Sequence, residues 1–507
     1  MRYAIGIDLG TSGTKTVLFD ENGKVIASKT IEYPMYQPKN GYAEQDPADW
    51  YNAAVNTAKA VITESGVDSA DIVGVGISGQ MHGLVMLDEN NEVIRKSIIW
   101  CDQRTAKEVE QMNELVGREK LIEITANPAL TGWTAAKILW VRNNEPENYA
   151  RCRHILLPKD YVRFMLTGEY ATEVSDASGM QLLDVPHRCW SEEICQKLGI
   201  DMSMLAKVYE SCEITGAITE KAAALTGLKA GTPVVGGAGD NAAAAVGTGV
   251  VEDGKAFTTI GTSGVVFAHT SAPCIDPKGR VHTCCAAVPG AWHIMGVTQG
   301  AGLSLKWFRD NFCNAEKETA KYMGVDEYYL MDNQAETVPI GANRLLYLPY
   351  LMGERTPHLD PDARGVFFGL SAMHTKKDML RAVMEGVAYS LRDCVEICRE
   401  MDINVSDMMA CGGGGSSPLW RQMLADLYAC PVKTASSKEG PALGAAILAF
   451  VCAGVYSSVP EACRKIVGTD KICEPVKENV PVYEKFFRLY DEVYPALRDS
   501  FAKLAVL

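Results

Sequence analysis

The chain has 507 residues, a net charge of −14 at pH 7 and 47% hydrophobic residues. This length exceeds what a single hydrophobic core usually supports, so we expect more than one domain. The acidic balance excludes a general surface for nucleic acids or anionic membranes, although it does not exclude a local anion site. We therefore predict neither a nucleic-acid partner nor a membrane partner.

The cysteines and the N-terminus indicate a cytoplasmic location. Sixteen cysteines are scattered along the chain, with no Cys-x-x-Cys pair and no Cys/His spacing typical of zinc sites. The first residues enter a strand pattern at once, so no signal peptide is predicted. We expect reduced thiols, most of them as small core residues.

The first 80 residues predict the start of a mixed α/β layer. A helix is signalled by Asp46 as N-cap and Pro47 in the first turn, and it runs toward Glu64. Apolar runs on both sides of it read as strands. The predicted strands span residues 3–9, 15–20, 24–31 and 72–77.

The remainder of the chain continues this alternation. The segment 104–228 is helix-rich, and a strand at 233–236 leads into a Gly-rich turn and an alanine-rich helix. Residues 247–254 are the predicted hinge. Near the other end, a strand at 408–411 precedes a Gly-rich loop and a helix from Pro418, which would direct its N–H groups into that loop. The most hydrophobic stretch, 442–456, is too short for a membrane span and predicts a buried helix.

One tetrapeptide occurs twice, about half the chain length apart. Gly-Thr-Ser-Gly stands at 10–13 and at 261–264, each time between two apolar runs, which is typical of a β-hairpin. The shared context indicates two related halves. Glycine permits close backbone approach, and Thr/Ser hydroxyls and turn amides bind oxyanions, so two such hairpins predict a nucleotide clamp. The alternative is a chance repeat of a small-residue turn.

Two carboxylates stand at the ends of predicted strands. Asp8 precedes the first repeated turn and is suited to hold Mg²⁺, or else to accept hydrogen bonds from turn amides. Asp240 lies in the crevice where α/β sheets bind ligands, and its structural alternative is a helix N-cap. The sequence leaves both alternatives open.

Other polar positions carry weaker signals. His82 lies in a turn after an inner strand, where a lone histidine is more often structural. Trp100, Asp102 and Arg104 could hold a polyhydroxylated ligand, or form a helix start with an Asp cap. The glycines at 412–415 fit neither the P-loop nor a complete dinucleotide fingerprint.

Longer patterns carry a family resemblance. The segment 7–15 resembles the opening of the FGGY carbohydrate kinases, members of the sugar kinase/actin/Hsp70 superfamily, and segments 132–144 and 365–385 are similar to the two FGGY signatures. The resemblance covers essentially the whole chain. It implies an α/β fold of two duplicated RNase H-like domains with an interdomain cleft: residues 1–248 bind the sugar and residues 249–507 bind ATP.

The resemblance also implies roles for individual residues. Asp240 would be the catalytic base and Asp8 would serve Mg²⁺, the expected metal. Ser417 stands where other members place Asn, and Lys306 where some place Gln. The implied sugar contacts are Met81, His82, Trp100, Asp102, Arg104, Asp240 and Asn241. The implied ATP contacts are Thr11, Ser12, Lys15, Gly261, Thr262, Gly302, Lys306, Gly413, Gly414 and Ser417.

Within the family, the segment 79–83 is similar to that of members that phosphorylate D-xylulose. The segments 157–161, 353–358 and 420–426 are similar to theirs as well. The expected reaction is ATP + D-xylulose → ADP + D-xylulose 5-phosphate. A kinase for another ketose or polyol, such as ribulose, is the nearest alternative, and an actin- or Hsp70-type nucleotide switch is the second. A homodimer is the one protein assembly we expect.

Overall fold

The computed structural model describes all 507 residues and contains two seven-stranded mixed sheets, one in each half of the sequence. The first comprises β1 Tyr3–Leu9, β2 Gly13–Asp20, β3 Val25–Glu32, β4 Ile72–Gly79, β5 Ile214–Ala217, β6 Pro233–Val235 and β7 Ala238–Gly239. Their spatial order is β5-β6-β4-β1-β2-β3, with β7 beside β4. β2 begins two residues earlier than predicted, because Gly13 and Thr14 pair with Glu32 and Ile31 of β3.

The second sheet repeats this topology. It comprises β8 Gly254–Ile260, β9 Gly264–Thr270, β10 His282–Cys285, β11 Trp292–Thr298, β12 Val405–Cys411, β13 Val432–Ala435 and β14 Thr469–Cys473. Their order is β10-β11-β9-β8-β12-β13-β14. β8 is antiparallel to β9 and parallel to β12, as β1 is to β2 and β4. The predicted duplication of the fold is therefore confirmed, with β10 as the additional strand.

Eighteen α-helices cover and connect the two sheets. In the first half they are α1 Pro47–Ser65, α2 Ala106–Leu115, α3 Arg118–Thr125, α4 Thr134–Asn144, α5 Pro146–Arg151, α6 Pro158–Thr167, α7 Val174–Ala177, α8 Glu192–Leu198, α9 Glu220–Thr226 and α10 Asp240–Gly247. In the second half they are α11 Ala301–Phe312, α12 Asn314–Met323, α13 Glu327–Glu336, α14 Lys376–Glu400, α15 Pro418–Tyr428, α16 Gly440–Cys452, α17 Val459–Ile466 and α18 Val480–Ala505. The predicted cap of α1 is present, since Asp46 accepts a hydrogen bond from the Ala48 amide at 3.1 Å.

Five two-stranded sheets complete the fold, four of them in the helix-rich first half. The pairs are Glu44–Gln45 with Ser97–Ile98, Val85–Leu87 with His154–Leu156, Ala171–Glu173 with Lys207–Tyr209, Leu183–Asp184 with Cys189–Trp190, and Leu346–Leu348 with Val366–Phe368. All sixteen cysteines are unpaired, and most are buried.

The two halves meet at a crossing of small-residue helices. α16 comes from the second half of the sequence but packs on the first sheet, where a methyl group on Gly6 would overlap the carbonyl oxygen of Ala442. α10 crosses α16 equally closely, since a methyl group on Gly444 would overlap the Ala243 carbonyl. The hydrophobic stretch is thus a buried helix, as predicted, and none of the helices has the length and apolar character needed to span a membrane. The division at residues 248 and 249 remains our prediction.

Candidate active site

The first repeated turn, residues 10–13, joins β1 to β2 and holds two charges beside it. Asp8 and Lys15 are cross-strand partners at the base of the turn. The Asp8 carboxylate accepts a hydrogen bond from the Ser78 hydroxyl on β4 at 3.2 Å. Lys15 Nζ donates to Glu439 Oε1 at 2.6 Å, and Glu439 directly precedes α16. The Lys15–Glu439 ion pair therefore links the two halves next to the turn.

Asp240 lies where β7 passes into α10. Its Oδ1 accepts hydrogen bonds from the Asn241 amide at 2.7 Å and from Asn241 Nδ2 at 2.9 Å. Oδ2 makes no hydrogen bond within the protein. Asp240 is the first helical residue and Gly239 occupies the N-cap position, so the N-cap alternative for Asp240 is wrong. One carboxylate oxygen remains available to a ligand.

Asp8 and Asp240 lie close enough to influence each other. Burial raises the pKa of Asp240 to about 6, against the opposing hydrogen bonds from Asn241. Burial and then the negative charge of Asp240 raise the pKa of Asp8 to about 7. No group of three or more His, Cys, Asp or Glu side chains forms a complete metal site. A divalent cation fits best at Asp8, where it would relieve the repulsion, with its other ligands from water and a bound phosphate.

Met81 and His82 follow β4 and lie beside the Asp240 turn. A side chain on Gly239 would contact Met81, so Met81 lies against the residue preceding Asp240. His82 donates from Nδ1 to the Gly179 carbonyl at 2.8 Å, which leaves Nε2 free as an acceptor. Its ring stacks on Trp133 with centroids 4.5 Å apart. Burial lowers the pKa of His82 to about 3, so the imidazole is neutral near pH 7.

A buried lysine holds the His82 backbone in place. Lys137 Nζ donates to the His82 carbonyl at 2.7 Å, and the Thr134 hydroxyl donates to the same oxygen at 3.1 Å. His82 itself has a left-handed backbone, with φ of 68°. These contacts fix an unusual conformation for a non-glycine residue. Neither Trp133 nor Lys137 was predicted as a site residue, although both stand in the first FGGY signature segment.

The three residues predicted at 100–104 have different surroundings. Trp100 is half exposed, and its Nε1 donates to the Thr11 hydroxyl at 2.9 Å. Asp102 is fully buried and pairs with Arg104, at 2.7 Å between Oδ2 and Nη2. Arg104 also pairs with Glu44 at 2.8 Å and stacks on Tyr42. The polar atoms of Asp102 and Arg104 are thus engaged with each other and with neighbouring residues, which favours a structural role for both. The predicted Asp cap is not formed, since Thr105 is the N-cap of α2 and makes no side-chain cap hydrogen bond.

The second repeated turn, residues 261–264, opens into a cavity of about 610 Å³ in the second half. The turn accepts two backbone hydrogen bonds from the start of α11, from the Gly302 amide to Gly261 and from the Leu303 amide to Thr262. Lys306 Nζ pairs with Asp310 at 2.7 Å, and Ser417 caps α15 by accepting from the Trp420 amide at 3.1 Å. The predicted nucleotide residues of this half all line the cavity: Gly261, Thr262, Gly302, Lys306, Gly413, Gly414 and Ser417.

Four further residues that line this cavity were not predicted. They belong to α13 and its N-cap: Asp326, Tyr328, Tyr329 and Asp332. Burial raises the pKa of Asp332 above its usual value, while a hydrogen bond from Ser417 opposes that change. Two adjacent tyrosines after a helix cap form no motif, so only the packing of α13 reveals these residues.

A second cavity, of about 770 Å³, is lined by Asp240 and by the Gly-rich loop. Gly413 and Ser416 of the Gly-rich loop line both cavities, while Asp240 and Asn241 line only the second. The loop is braced by the buried Arg421, whose Nη1 donates to the Gly415 and Ser416 carbonyls at 2.8 Å each. The Gly-rich loop therefore lies between the cavity at the second repeated turn and the cavity that Asp240 lines.

Comparison with known proteins agrees with this arrangement. The FGGY carbohydrate kinase N-terminal domain model matches residues 3–247, and the C-terminal domain model matches residues 256–453. A xylulose kinase from Bacillus subtilis is 40% identical over 98% of both chains. A crystal structure described as a "xyloylose kinase" from Brucella ovis superposes with a TM-score of 0.90 at 35% identity, over 98% of this chain and 100% of that one.

A gluconate kinase structure from Lactobacillus acidophilus superposes equally well, with a TM-score of 0.92 at 28% identity over 99% of each chain. The fold is therefore shared by kinases described with different sugars. The matched domain models and the similarity over nearly the whole length agree with the sequence-based expectation and remove the nucleotide-switch alternative. This chain belongs to the FGGY family of carbohydrate kinases.

Proposed function

We propose that this enzyme transfers the γ-phosphoryl group of ATP to the terminal hydroxyl of D-xylulose, giving ADP and D-xylulose 5-phosphate. The observation that carries the proposal is the position of Asp240. Asp240 lines the cavity beside the Gly-rich loop, the preceding Gly239 lies against Met81, and Oδ2 of Asp240 has no hydrogen-bond partner in the protein. The choice of D-xylulose is supported by the 40% identical relative described as a xylulose kinase.

Asp240 is the proposed catalytic base. Its Oδ2 would accept the proton of the terminal sugar hydroxyl as the hydroxyl oxygen attacks the γ-phosphorus in line. Phosphoryl transfer has a loose transition state, so orientation of the hydroxyl matters as much as proton removal. The Asn241 hydrogen bonds hold the carboxylate in one orientation. Its pKa of about 6 keeps it largely ionised at pH 7 yet basic enough to take a proton late in the step.

The first repeated turn would hold the transferring phosphate. Thr11 and Ser12 supply hydroxyl and amide donors, and Lys15 supplies a positive charge once it leaves Glu439. Asp8 would hold Mg²⁺, which when bound neutralises charge on the phosphate oxygens. The donors in this turn come from the sugar-binding half, so approach of the two halves would complete the phosphate site and exclude water.

The sugar would lie against Met81 and His82. His82 Nε2 is an acceptor for a sugar hydroxyl, because Nδ1 is committed to the Gly179 carbonyl. Asn241 and the exposed ring of Trp100 are further proposed contacts. Asp102 and Arg104 would support the site without contacting the sugar, because their buried ion pair braces the segment that carries Trp100.

ATP would occupy the cavity on the second half. Its phosphates would follow Gly261, Thr262 and the Gly-rich loop toward Asp240, and its base would lie near the tyrosines of α13. We also propose domains at 1–248 and 249–507; the two domain models match residues 3–247 and 256–453 within them. Sixteen unpaired cysteines support a reducing compartment, the cytoplasm. The homodimer remains a prediction that sedimentation would test.

A coupled ADP-release assay over a sugar panel tests the substrate. D-xylulose, D-ribulose, xylitol and D-gluconate are the informative members, since a gluconate kinase shares the fold. D-xylulose should give the highest kcat/KM. A higher value for D-ribulose or D-gluconate would replace the proposed substrate while leaving the kinase chemistry intact.

The variant Asp240→Asn tests the base. It should lose about 10²–10⁴-fold or more in kcat, because a general base typically contributes that much. ATP binding and folding should remain. Asp499→Asn, an exposed carboxylate on α18, is the matched control and should be unchanged. Turnover of Asp240→Asn at the parental rate would reject Asp240 as the base.

A further inference from the structure

The start of α10, which carries Asp240, has no side-chain cap of its own. Gly239 occupies the N-cap position, and a glycine has no side chain to accept a hydrogen bond from the first turn. Gly239 also ends β7, a strand of two residues that pairs with Ser78 and Gly79 of β4. A strand this short fixes little backbone by itself. Other contacts of Gly239 are therefore important for the position of Asp240.

Ser175 on α7 supplies such a contact. The Gly239 amide donates to Ser175 Oγ at 3.1 Å, and both residues are buried. The Ser175 hydroxyl donates in turn to Glu173 Oε1 at 2.9 Å. A hydroxyl has only one proton, so its donation to Glu173 leaves a lone pair for the Gly239 amide. The carboxylate of Glu173 therefore fixes the direction of both hydrogen bonds.

Glu173 is itself held by several donors. Its Oε1 also accepts from the Asp176 amide at 2.9 Å, and its Oε2 accepts from the Ser175 amide at 2.8 Å and from the Ser211 hydroxyl at 2.7 Å. Lys159 Nζ lies 3.2 Å from Oε1, and neither the Lys159 nor the Glu173 side chain is exposed to solvent. A buried carboxylate with this many donors is held in one orientation. Glu173 thus fixes the Ser175 hydroxyl in turn.

The same short segment also contacts the sugar side of the site. After α7 the chain forms a 3₁₀ turn, Ser178–Met180, whose Gly179 carbonyl accepts the hydrogen bond from His82 Nδ1 at 2.8 Å. A methyl group on Gly179 would overlap the His82 ring and lie against Met81. Residues 173–180 therefore contact both the residue before the proposed base and the two proposed sugar contacts.

We propose that Ser175 is a positioning residue for phosphoryl transfer, which holds the Gly239 amide and, through it, the carboxylate of Asp240. Ser175 touches neither the sugar nor ATP in this assignment. The inference rests on the proposed function for the role of Asp240. Loss of the Ser175 hydroxyl frees the Gly239 amide and lets Asp240 shift relative to the sugar hydroxyl. A displacement of about 1 Å at a reacting group can lower a rate about 100-fold.

The test compares Ser175→Ala with Ser211→Ala. Both serines are fully buried and both hydroxyls donate to the Glu173 carboxylate, but only the Ser175 hydroxyl accepts from the Gly239 amide. Each variant removes a hydrogen bond to the same carboxylate, so both should lower the urea unfolding midpoint to a comparable extent. Only Ser175→Ala should lower kcat, by about 10- to 100-fold, with the ATP KM within about twofold of the parent.

Ser175→Cys separates the hydrogen bond from the volume of the side chain. A thiol is only a weak donor and acceptor, so kcat should lie between the values of Ser175→Ala and the parent. Equal kcat losses in Ser175→Ala and Ser211→Ala would overturn the proposal, because a purely structural role gives that result. Parental kcat in Ser175→Ala would overturn it as well. Circular dichroism and ATP binding establish that each variant is folded. Should Ser175→Ala not fold, Ser175→Cys is compared with Ser211→Ala in its place.

A double variant distinguishes failure of the positioning role from failure of the base. If Ser175 acts through the Asp240 carboxylate, adding Ser175→Ala to Asp240→Asn should lower single-turnover phosphoryl transfer by less than about twofold. Losses that multiply would mean that Ser175 acts elsewhere and would reject the proposal. Parental turnover in Asp240→Asn alone would instead reject Asp240 as the base, and the proposed function would then fail independently of any Ser175 variant.

Discussion

The two Gly-Thr-Ser-Gly turns occupy equivalent places in the two sheets but differ in the charges beside them. Asp8 stands two residues before the first turn and Lys15 two residues after it; the same offsets in the second copy hold Thr259 and Val266. The pairing differs as well: Leu9 faces Thr14 across the first turn, whereas Ile260 faces Gly264 across the second.

The surroundings of the two turns also differ in charge. Beside the first turn, Asp8 interacts with Asp240 and Lys15 pairs with Glu439, so the surroundings of this turn are charged. The second turn packs on the start of α11 and opens into the large cavity of its own half. The same backbone thus occurs twice, and the residues that are not repeated distinguish the proposed phosphate-transfer site from the proposed nucleotide site.

Removing the Asp8 carboxylate beside the first turn should have the largest effect on activity. We expect Asp8→Asn to lower kcat at least about 100-fold, because charge neutralisation at a transferring phosphate accounts for several kcal/mol. Thr259→Val, at the equivalent position of the second copy, should change kcat far less. Steady-state rates over a Mg²⁺ titration provide the measurement, and equal losses in both variants would contradict the asymmetry.

The buried carboxylates near the first turn should also make the stability of the protein depend on pH. Asp240 has a pKa raised from 3.8 to about 6, so the stability tied to its neutral form is present below pH 3.8 and lost as pH rises through about 6. At pH 8 we therefore expect metal-free Asp240→Asn to be more stable than the parent by about 2–3 kcal/mol. The gain should shrink on going to pH 5.

Urea unfolding in EDTA at the two pH values measures this difference. Asp499→Asn, the exposed carboxylate on α18, again serves as the control and should show no such gain. A stability difference for Asp240→Asn that does not change with pH would mean that burial of the charge is not its cause.

A substitution beside the second turn should weaken ATP binding and leave the sugar site intact. A methyl group on Gly302 would overlap the Gly261 carbonyl, so Gly302→Ala must move α11 away from the turn. We expect the ATP KM to rise about tenfold or more, with the sugar KM nearly unchanged. Ala301→Gly, one residue earlier, controls for helix propensity. A raised sugar KM in Gly302→Ala would show that the turns are not separate in function.

Lys15 should give the smallest of these effects. Lys15→Met should lower kcat by about tenfold, because one positive charge near the transferring phosphate is lost. Glu439→Gln frees Lys15 without removing it, so its kcat should stay nearer the parent value. Presteady-state phosphoryl transfer distinguishes the two variants, and a larger loss in Glu439→Gln would mean that the ion pair itself is required.

Much of the fold was predictable because local signals agreed with one another. The cap and proline of α1, the apolar runs of β1 and β4, and the strand–loop–helix segment before α15 each have a backbone conformation set by nearby residues. The predicted nucleotide residues of the second half were found together for the same reason, since turns and helix starts hold them.

The failures concern contacts between distant segments. The sequence predicts Arg104 as a ligand-binding residue, yet its guanidinium forms ion pairs with Glu44 and Asp102. The cavity wall from α13 and the pairing of Lys15 with Glu439 have no local motif. Whether a polar group is free or satisfied depends on what packs against it, and no local pattern contains that information.

The sequence by itself determined the duplicated strand–turn–strand units, the family and the position of Asp240 at the start of a helix, because periodicity, turn chemistry and motif spacing are local properties. Only the tertiary structure decided which charges are free. It pairs Lys15 with Glu439 and brings Asp8 near Asp240, where burial raises the pKa of both carboxyl groups and repulsion by Asp240 raises that of Asp8 further. The physical reason is that desolvation and charge interaction act through space, between residues that the chain separates by hundreds of positions.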